Sequence, residues 1–212
     1  MNAEKFQHQT NVSRETLERY QIWYDLLSRW NKKINLVAPS TLHDFWLRHA
    51  LDSWQLVDLL PDGRDAAETV LDMGAGAGFP GLAIAIALRD TPDAQITLVE
   101  ANGKKCNFLR TVIRECALPA KAVQARVENL EQHSYDVITA RAFAPLPKLL
   151  GYSLPFWDAK TTALFPKGEH WQDEVKAAHK DFDFDLTTTP SQTAENAKIL
   201  TITNLCARET KQ

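Results

Sequence analysis

The chain of 212 residues carries a formal net charge of −3, and 44% of its residues are hydrophobic, six tryptophans among them. These values indicate one main α/β domain with an extension, or one large domain. They exclude an overall basic surface, so any contact with nucleic acid must come from a local patch. The cysteines are Cys106, Cys116 and Cys206, and an odd number without a Cys-x-x-Cys pair argues against a disulfide framework and against a zinc or other metal site.

Two features of the sequence bear on where the protein is found. Residues 1–5 lack the apolar stretch of a signal peptide. The longest apolar run, residues 82–88, is too short to span a bilayer. We therefore expect a soluble cytoplasmic protein without a membrane partner.

The first part of the chain is predicted to be helical. Ser13 is a candidate N-cap, and apolar residues follow it at three- and four-residue steps as far as Trp30. A second helix is predicted to begin near Thr41 and Asp44, and a third to cover residues 52–60. Proline and glycine follow within the next three residues and predict its end.

From residue 69 onward, short β-rich runs alternate with helical segments. The predicted strands are residues 69–73, 95–100, 121–126, 136–141 and 162–166, and the predicted helices are residues 81–89, 104–116, 145–154 and 170–181. This alternation is typical of a doubly wound parallel sheet. Two further runs, residues 182–189 and 198–204, have no helix between them and predict an antiparallel hairpin at one edge. We assign residues 1–64 to an N-terminal helical extension over the strand-end face, and residues 65–212 to the main domain.

A glycine-rich turn between the first strand and a small apolar helix is the most specific local pattern. Residues 70–81 read VLDMGAGAGFPG, in which Gly76, Gly78 and Gly81 form a G-x-G-x-x-G pattern. Such a turn lets the backbone approach a ligand closely and directs N–H groups at it. Glu100 ends the next strand, where a carboxylate can accept both ribose hydroxyls. The pattern predicts a nucleoside-bearing cofactor and is compatible with both NAD and S-adenosylmethionine.

Three features favour S-adenosylmethionine. The carboxylate of Asp72 would repel a pyrophosphate but attract the ammonium group of a methionine moiety. Pro80 removes an N–H that a pyrophosphate would use. The closing hairpin stands where a dehydrogenase has its second mononucleotide-binding half. A methyltransferase is therefore favoured, while an NAD-dependent oxidoreductase and a purely structural tight turn remain alternatives.

The glycine turn and several other motifs resemble one family. The run from Leu71 to Gly81 is similar to the first motif of class I methyltransferases, and its Gly-Phe-Pro-Gly ending resembles the bacterial 16S rRNA (guanine-N7) methyltransferases, also called glucose-inhibited division protein B. Other segments that resemble this family follow in its order. They are residues 31–36 (NKKINL), 48–53 (RHALDS), 104–105 (KK), 108–110 (FLR), 126–128 (RVE), 139–143 (TARAF) and 166–168 (PKG).

This resemblance implies an α/β class I methyltransferase fold with a Rossmann-like sheet, S-adenosylmethionine as cofactor and 16S rRNA as partner, within the 30S subunit or an assembly intermediate. The implied cofactor-binding residues are Asp72, Gly74, Gly76, Gly78, Phe79, Glu100, Val127, Glu128 and Arg141. Gly74 and Phe79 would flank the methionine end and Glu100 would hold the ribose. Val127 and Glu128 would meet the adenine. Arg141 would face the methyl group and the entering base.

The predicted chemistry needs no acid–base residue. Guanine N7 carries a lone pair and no proton, so methyl transfer to it requires only alignment and charge stabilisation. Residues 140–145 (ARAFAP) lack the Asp/Asn-Pro-Pro-aromatic motif that accompanies exocyclic amino methylation. None of the cysteines is predicted to lie where a pyrimidine C5 methyltransferase needs its nucleophile. Arg141 is the candidate positioning residue, either as a donor to guanine O6 or as a structural clamp.

Basic residues near the end of the first long helix and near later strand ends are candidates for RNA binding. They are Lys32, Lys33, Arg48, His49 and Lys167. The alternative interpretation is that the lysines lie on ordinary solvated faces and that Asn35 and His49 are structural. Two other functions also remain open, a small-molecule methyltransferase on the same fold and a non-catalytic RNA-binding factor in ribosome assembly. The oligomeric state is left open.

Overall fold

The computed structural model describes residues 1–61 and 69–208, and its central feature is a seven-stranded sheet. The strands are β1 (Thr69–Met73), β2 (Gln95–Glu100), β3 (Ala120–Gln124), β4 (Val137–Thr139), β5 (Thr162–Lys167), β6 (Phe182–Pro190) and β7 (Lys198–Ala207). Their order is β3-β2-β1-β4-β5-β7-β6.

Helices cover both faces of the sheet and the N-terminal part of the chain. They are α1 (Ala3–Thr10), α2 (Arg14–Trp30), α3 (Pro39–Leu42), α4 (Asp52–Trp54), α5 (Gly81–Ala87), α6 (Gly103–Glu115), α7 (Leu146–Ser153) and α8 (Trp171–Ala178). A π-helical segment, Phe45–Leu51, leads into α4. Short 3₁₀ turns cover Val57–Leu59, Val127–Asn129 and Leu154–Phe156.

The sheet topology confirms the predicted doubly wound architecture and its closing hairpin. Strands β1 to β5 pair in parallel, and β7 is antiparallel to both β5 and β6. Strand β7 lies between β5 and β6, and β6 forms the edge of the sheet. This order fits the burial of the two strands, because β7 carries more buried apolar side chains than β6. The strand order reverses between β1 and β4, which places a crevice at their carboxyl ends.

The N-terminal helices share a hydrophobic core with the sheet's helical layer. Phe6, Tyr20 and Trp23 are fully buried in one cluster with residues of α5 and α6. The N-terminal helices thus form a second layer on α5 and α6. Trp23 of α2 and the segments after α2 reach the carboxyl ends of the strands. The predicted boundary between residues 64 and 65 lies outside the described residues.

Several predicted element boundaries shift. Ser13 caps α2 as predicted, since its side chain accepts a hydrogen bond from the N–H of Thr16. Helix α1 was not predicted, because a helix of eight residues with Phe6 as its buried residue carries too little periodicity. The predicted helix over residues 52–60 divides into α4 and a 3₁₀ turn. The predicted fourth strand ends early, at Thr139, so Arg141 lies in the loop that follows.

Three further properties concern the described part of the chain. No helix there is long and apolar enough to cross a membrane. Cys106 and Cys116 are buried free thiols, and Cys206 is an exposed one. Within residues 1–61 and 69–208, no group of three or more His, Cys, Asp or Glu side chains is arranged to hold a metal ion.

Candidate active site

A cavity of about 540 Å³ opens at the carboxyl ends of β1, β2 and β4, where the strand order reverses. Its wall contains most of the residues that the sequence assigns to cofactor binding. They are Gly74, Gly76, Phe79, Glu100, Val127, Glu128 and Arg141. Their side chains and backbone come from four different loops, so parallel strand pairing alone brings them together. Of the predicted set, Asp72 and Gly78 lie outside this wall.

The glycine turn after β1 forms the floor of the cavity. Gly74, Gly76 and Gly78 have φ values of 72°, 55° and 98°, a left-handed region that favours glycine. A Cβ atom on Gly74 would collide with the ring of Phe143, and one on Gly78 would collide with the side chain of Leu82. A Cβ atom on Gly76 would meet only the carbonyl oxygen of Gly74, at 3.8 Å. Gly76 therefore faces open space, and a ligand can approach its backbone closely.

Glu100 joins the glycine turn to the start of α6. Its Oε2 accepts a hydrogen bond from the N–H of Gly76 at 3.0 Å, and its Oε1 accepts one from the N–H of Asn102 at 2.8 Å. Both bonds hold the carboxylate at the cavity wall in a defined orientation. The group is thereby presented as a hydrogen-bond acceptor at the position predicted for a ribose contact.

Asp72 lies beneath the turn and not in the cavity wall. Its side chain is fully buried, and Oδ2 accepts a hydrogen bond from the N–H of Gly81 at 3.0 Å, at the start of α5. Its Oδ1 has no hydrogen-bond partner among the described residues. Burial raises the pKa of this carboxyl from 3.8 to about 7, against the lowering effects of the Gly81 hydrogen bond and of Arg141. Asp72 thus connects the turn to α5, whereas the sequence predicted a direct contact with the cofactor.

Phe79 is held between two aromatic side chains from the N-terminal part of the chain. The Trp23 ring stacks on it with centroids 4.5 Å apart, and the His49 ring stacks on it with centroids 4.6 Å apart. The indole N–H of Trp23 also donates to the carbonyl oxygen of Ala77 at 3.2 Å. The N-terminal helices therefore support the glycine turn from outside, an arrangement that depends on tertiary packing.

The guanidinium of Arg141 binds three acceptors from the π-helical segment and α4. Nη1 donates to Asp52 Oδ2 at 2.9 Å and to the carbonyl oxygen of Arg48 at 3.1 Å. Nη2 donates to His49 Nδ1 at 3.1 Å, since a guanidinium cannot accept. The same group lies 4.7 Å from the centroid of the Phe79 ring. These contacts make Arg141 a clamp between the loop after β4 and the N-terminal helices.

His49 is neutral in this arrangement. Because its Nδ1 accepts from Arg141, its Nε2 carries the proton and donates to Thr41 Oγ1 at 3.1 Å. Burial, together with the nearby charge of Arg141, lowers the pKa of His49 from 6.5 to about 4. The structural interpretation of this residue therefore fits better than the predicted role as an RNA-binding cation.

A second cavity, of about 710 Å³, adjoins the first across residues 141–144, which line both. The loop between β6 and β7 contributes to its wall and is held by the N-terminal helices. Thr193 Oγ1 donates to Asp52 Oδ1 at 2.6 Å, and the N–H of Gln192 donates to Gln55 Oε1 at 2.9 Å. The two cavities thus meet at the segment that contains Arg141.

The remaining predicted RNA-binding residues have different environments. Lys32 and Lys33 are exposed in the loop after α2, and Arg48 is exposed at the second cavity. Lys167 is largely buried, with Nζ bound to the carbonyl oxygen of Ala144 at 2.8 Å and to Glu174 Oε2 at 2.7 Å. The side chain of Lys167 is thus committed to contacts within the protein.

Asn31 is a structural residue of the site that the sequence analysis did not single out. Its Oδ1 accepts hydrogen bonds from the N–H groups of Leu36 and Val37, at 2.9 and 3.0 Å. Its Nδ2 donates to the carbonyl oxygen of Val37 at 3.1 Å. These bonds fold the loop so that Leu36 and Val37 line the first cavity. The sequence offered one indication of this role, because Asn31 is the first residue of the NKKINL segment that resembles the family.

Solved structures share the fold of this chain. A SAM-dependent methyltransferase from Aquifex aeolicus superimposes with a TM-score of 0.59 at 14% identity, covering 83% of this chain and 97% of that one. An O-methyltransferase from Bacillus cereus, solved in complex with SAH, gives a TM-score of 0.57 at 13% identity, covering 91% and 92%. The chain has the class I methyltransferase fold.

Sequence comparison identifies the family. The family model for rRNA small subunit methyltransferase G (GidB) matches residues 16–201. A ribosomal RNA small subunit methyltransferase G from Parvibaculum lavamentivorans is 42% identical over 207 residues, which cover 97% of this chain and 90% of the relative. One from a Ruegeria species is 42% identical over 193 residues, covering 91% and 92%. The chain belongs to the GidB family, which confirms the resemblance found in the sequence.

Proposed function

We propose that this protein binds S-adenosylmethionine in the first cavity and transfers its methyl group to N7 of a guanine in 16S rRNA. The observation that supports this most directly is the pairing of two cavities. One is built on the glycine turn and Glu100, and the other adjoins it across Arg141. A cofactor and an entering base placed in these two cavities would meet at that residue. Membership of the GidB family supplies the type of substrate.

The residues of the first cavity fit S-adenosylmethionine. The open backbone at Gly76 admits close approach of a ligand, and the Glu100 carboxylate is an acceptor for ribose hydroxyls. Val127 and Glu128, in the 3₁₀ turn after β3, offer an apolar surface and a carboxylate to an adenine. When bound, the cofactor supplies a methyl group on a positively charged sulfonium.

The chain's part in the reaction is alignment. Guanine N7 needs no general base, so the protein must hold the base in line with the methyl group and exclude other orientations. Arg141 contributes by fixing the wall between the cavities, because three of its hydrogen bonds are made to the N-terminal segments. These contacts favour the clamp over the alternative in which the guanidinium reads guanine O6.

We assign binding of the rRNA backbone to exposed basic residues near the cavities. Lys32, Lys33 and Arg48 are exposed and close in sequence to segments that line the two cavities. Cationic side chains of this kind contact phosphates and position an RNA without reading its sequence. We further propose that the substrate is the 30S subunit or an assembly intermediate.

Methyl transfer from labelled S-adenosylmethionine tests the proposal. The protein is incubated with unmethylated 30S particles and, in parallel, with deproteinised 16S rRNA, and the modified base is mapped by mass spectrometry. We expect one guanine methylated at N7. Transfer to neither substrate would contradict the proposal, and cofactor binding without transfer would favour the non-catalytic assembly factor.

A pair of glycine variants provides the matched control. Gly76→Asp places a side chain and a second negative charge beside Glu100 in the turn, so cofactor binding and transfer should both be lost. Gly168→Asp makes the same chemical change where a Cβ atom would meet nothing within 4 Å, and it should leave cofactor binding intact. Unchanged cofactor binding by Gly76→Asp would contradict the placement of the site.

A further inference from the structure

Phe143 is an exposed aromatic side chain at the junction of the two cavities. Among the described residues, the large hydrophobic side chains that remain exposed are those of Met1, Ile22 and Phe143, each at 38%. A single exposed apolar side chain needs no explanation by itself. Phe143 differs from the other two because it lines both cavities, whereas Met1 and Ile22 line neither.

The ring of Phe143 forms part of the wall that separates the two cavities. It packs over Gly74, where any Cβ atom would collide with it, and its centroid lies 5.7 Å from that of Tyr152. Gly74 and Tyr152 both belong to the first cavity, whereas Phe143 also borders the second. The ring therefore borders the predicted methionine end of the first cavity, and the residue also lines the second cavity.

The segment that carries this ring is fixed at both ends. Arg141 is clamped by Asp52, and the carbonyl oxygen of Ala144 accepts a hydrogen bond from Lys167. Ala142, between them, has a φ of 52°, a left-handed conformation that is strained for a residue with a Cβ atom. Strain of this kind persists where surrounding contacts impose it, and it often marks functional positions. The ring is thus presented by a rigid segment.

Methylation at N7 of a base-paired guanine needs a surface of this type. In a base-paired A-form helix, guanine N7 lies in a deep and narrow major groove that side chains cannot read. An enzyme that modifies such an atom takes the base out of its stack and replaces the lost stacking with an aromatic or apolar side chain. A cavity of about 710 Å³ is within the usual range for small-molecule sites and has room for a nucleotide.

We propose that the second cavity receives the target guanine after it leaves its stack, and that Phe143 is the ring on which this base stacks beside the cofactor cavity. This inference rests on the proposed function and deepens it, since it assigns the base-binding site and a residue that positions the base. Stacking on Phe143 would hold the purine plane against the wall, and Arg141 would keep that wall in place.

Two substitutions of Phe143 test the inference. Phe143→Leu keeps an apolar side chain but removes the ring, and Phe143→Tyr keeps the ring. Ile22→Ala is the control, because Ile22 is equally exposed and lies on α2 outside both cavities. For each protein, kcat/KM is measured with unmethylated 30S particles at saturating S-adenosylmethionine. The Kd for S-adenosylmethionine is measured by calorimetry, and thermal unfolding verifies that each variant folds.

We expect Phe143→Leu to lower kcat/KM for the 30S particles by roughly tenfold or more, as is usual for the loss of a base–aromatic stack. Phe143→Tyr and Ile22→Ala should stay close to the unsubstituted protein, and the Kd for S-adenosylmethionine should not change in any variant. A parallel loss of cofactor affinity in Phe143→Leu would overturn the inference, because the ring would then cover the cofactor. An unchanged kcat/KM in Phe143→Leu, or equal losses in both Phe143 variants, would also overturn it.

The unsubstituted protein separates failure of the inference from failure of the proposed function. If it methylates the particles but the Phe143 variants give one of the contradicting results above, the methyltransferase assignment stands and the stacking role is wrong. If it transfers no methyl group either to the particles or to deproteinised 16S rRNA, the proposed function is overturned, and this inference with it.

Discussion

The carboxylate of Asp52 pairs with the guanidinium of Arg141 at 2.9 Å, although 89 positions separate the two residues in the chain. Both side chains are mostly buried, at 18% and 19% exposure. The other carboxylate oxygen of Asp52 accepts a hydrogen bond from Thr193 in the loop between β6 and β7. One side chain thus joins α4, the loop after β4 and the closing hairpin around the second cavity.

Asp52→Asn is expected to destabilise the protein and to slow methyl transfer. It removes the charge that pairs with Arg141 and weakens the contact with Thr193, which should lower the free energy of unfolding by about 1–3 kcal/mol. Urea denaturation measures this. Glu18→Gln is the control, because the Arg14–Glu18 pair is exposed and contributes little. An equal effect in both variants would show that the Asp52–Arg141 pair has no special role.

Acidification is expected to destabilise the folded state through His49, whose pKa is lowered from 6.5 to about 4 by burial and by Arg141. Between these two values the unfolded chain binds more protons at this site than the folded chain does. The stabilisation from neutral His49 is therefore complete above about pH 6.5 and declines as the pH falls toward 4. Protonation at Nδ1 would place an N–H against the Arg141 guanidinium, and the Asp52 and Asp44 carboxylates offset this only in part.

The effect of His49 on the pH dependence of stability must be separated from that of Asp72, whose raised pKa has the opposite effect. Comparison of variants separates the two. Burial raises the pKa of Asp72 to about 7, so its contribution to the free energy of unfolding falls as the pH rises from about 4 to 7. The difference in this free energy between unsubstituted protein and His49→Gln should shrink on acidification from pH 6.5 to 4, by roughly 2 kcal/mol. His8→Gln makes the same substitution at an exposed histidine and is the control. A flat difference for His49→Gln would contradict the burial of a neutral imidazole.

Replacement of Lys32 and Lys33 by alanine is expected to weaken RNA binding without loss of stability. Both side chains are exposed, so their removal leaves the core intact. If each neutralises one phosphate, the slope of log K against log salt should become shallower by about 0.7 for each lysine removed. Binding to 16S rRNA at several KCl concentrations measures this slope. An unchanged slope would contradict the assignment of Lys32 and Lys33 to the rRNA backbone.

Lys167→Met is expected to lower stability without weakening RNA binding, the reverse of the result expected for Lys32 and Lys33. Lys167 is only 9% exposed and pairs with Glu174, which also accepts a hydrogen bond from the N–H of Leu146 at the start of α7. Loss of the lysine leaves the Glu174 charge without its partner and should lower the free energy of unfolding by about 3 kcal/mol. The salt dependence of RNA binding should not change. A shallower salt slope with unchanged stability would show that Lys167 contacts RNA, as the sequence predicted.

Trp23→Phe is expected to loosen the glycine turn. It removes the N–H donated to Ala77 and part of the stack on Phe79, which should cost about 1–2 kcal/mol of stability and weaken S-adenosylmethionine binding. Calorimetry with S-adenosylmethionine measures the affinity. Trp30→Phe is the control, because the Trp30 ring packs on Phe108 of α6. Equal affinities for the two variants would show that the turn does not depend on Trp23.

Local patterns in the sequence were sufficient to predict the strand-turn-helix unit, the alternation of strands and helices, and the closing hairpin. Each depends on residues close together in the chain, such as the glycines after β1 or the apolar runs of the strands. Glu100 was predictable for a related reason. Parallel strands carry their carboxyl ends to the same edge, so a residue at the end of β2 must lie near the turn after β1.

The roles of charged side chains were not predictable in the same way. Lys167 and Lys32 are both lysines near predicted strand or helix ends, yet one is buried against Glu174 and the other is exposed. His49 and Arg48 are neighbours, yet only one lies inside the core. The environment of an ionisable group depends on which distant segments pack around it, and the sequence pattern around each residue does not contain that information.

The sequence by itself determined the architecture of the cofactor cavity and the family, because both depend on short patterns read in order along the chain. Only the tertiary structure decided that Arg141 is a clamp, that Asp72 lies beneath the turn and that a second cavity adjoins the first at Phe143. The clamp and the second cavity need residues from the π-helical segment, the loop after β4 and the closing hairpin at once. Their contacts span most of the chain, and they exist only when hydrophobic packing has brought those segments together.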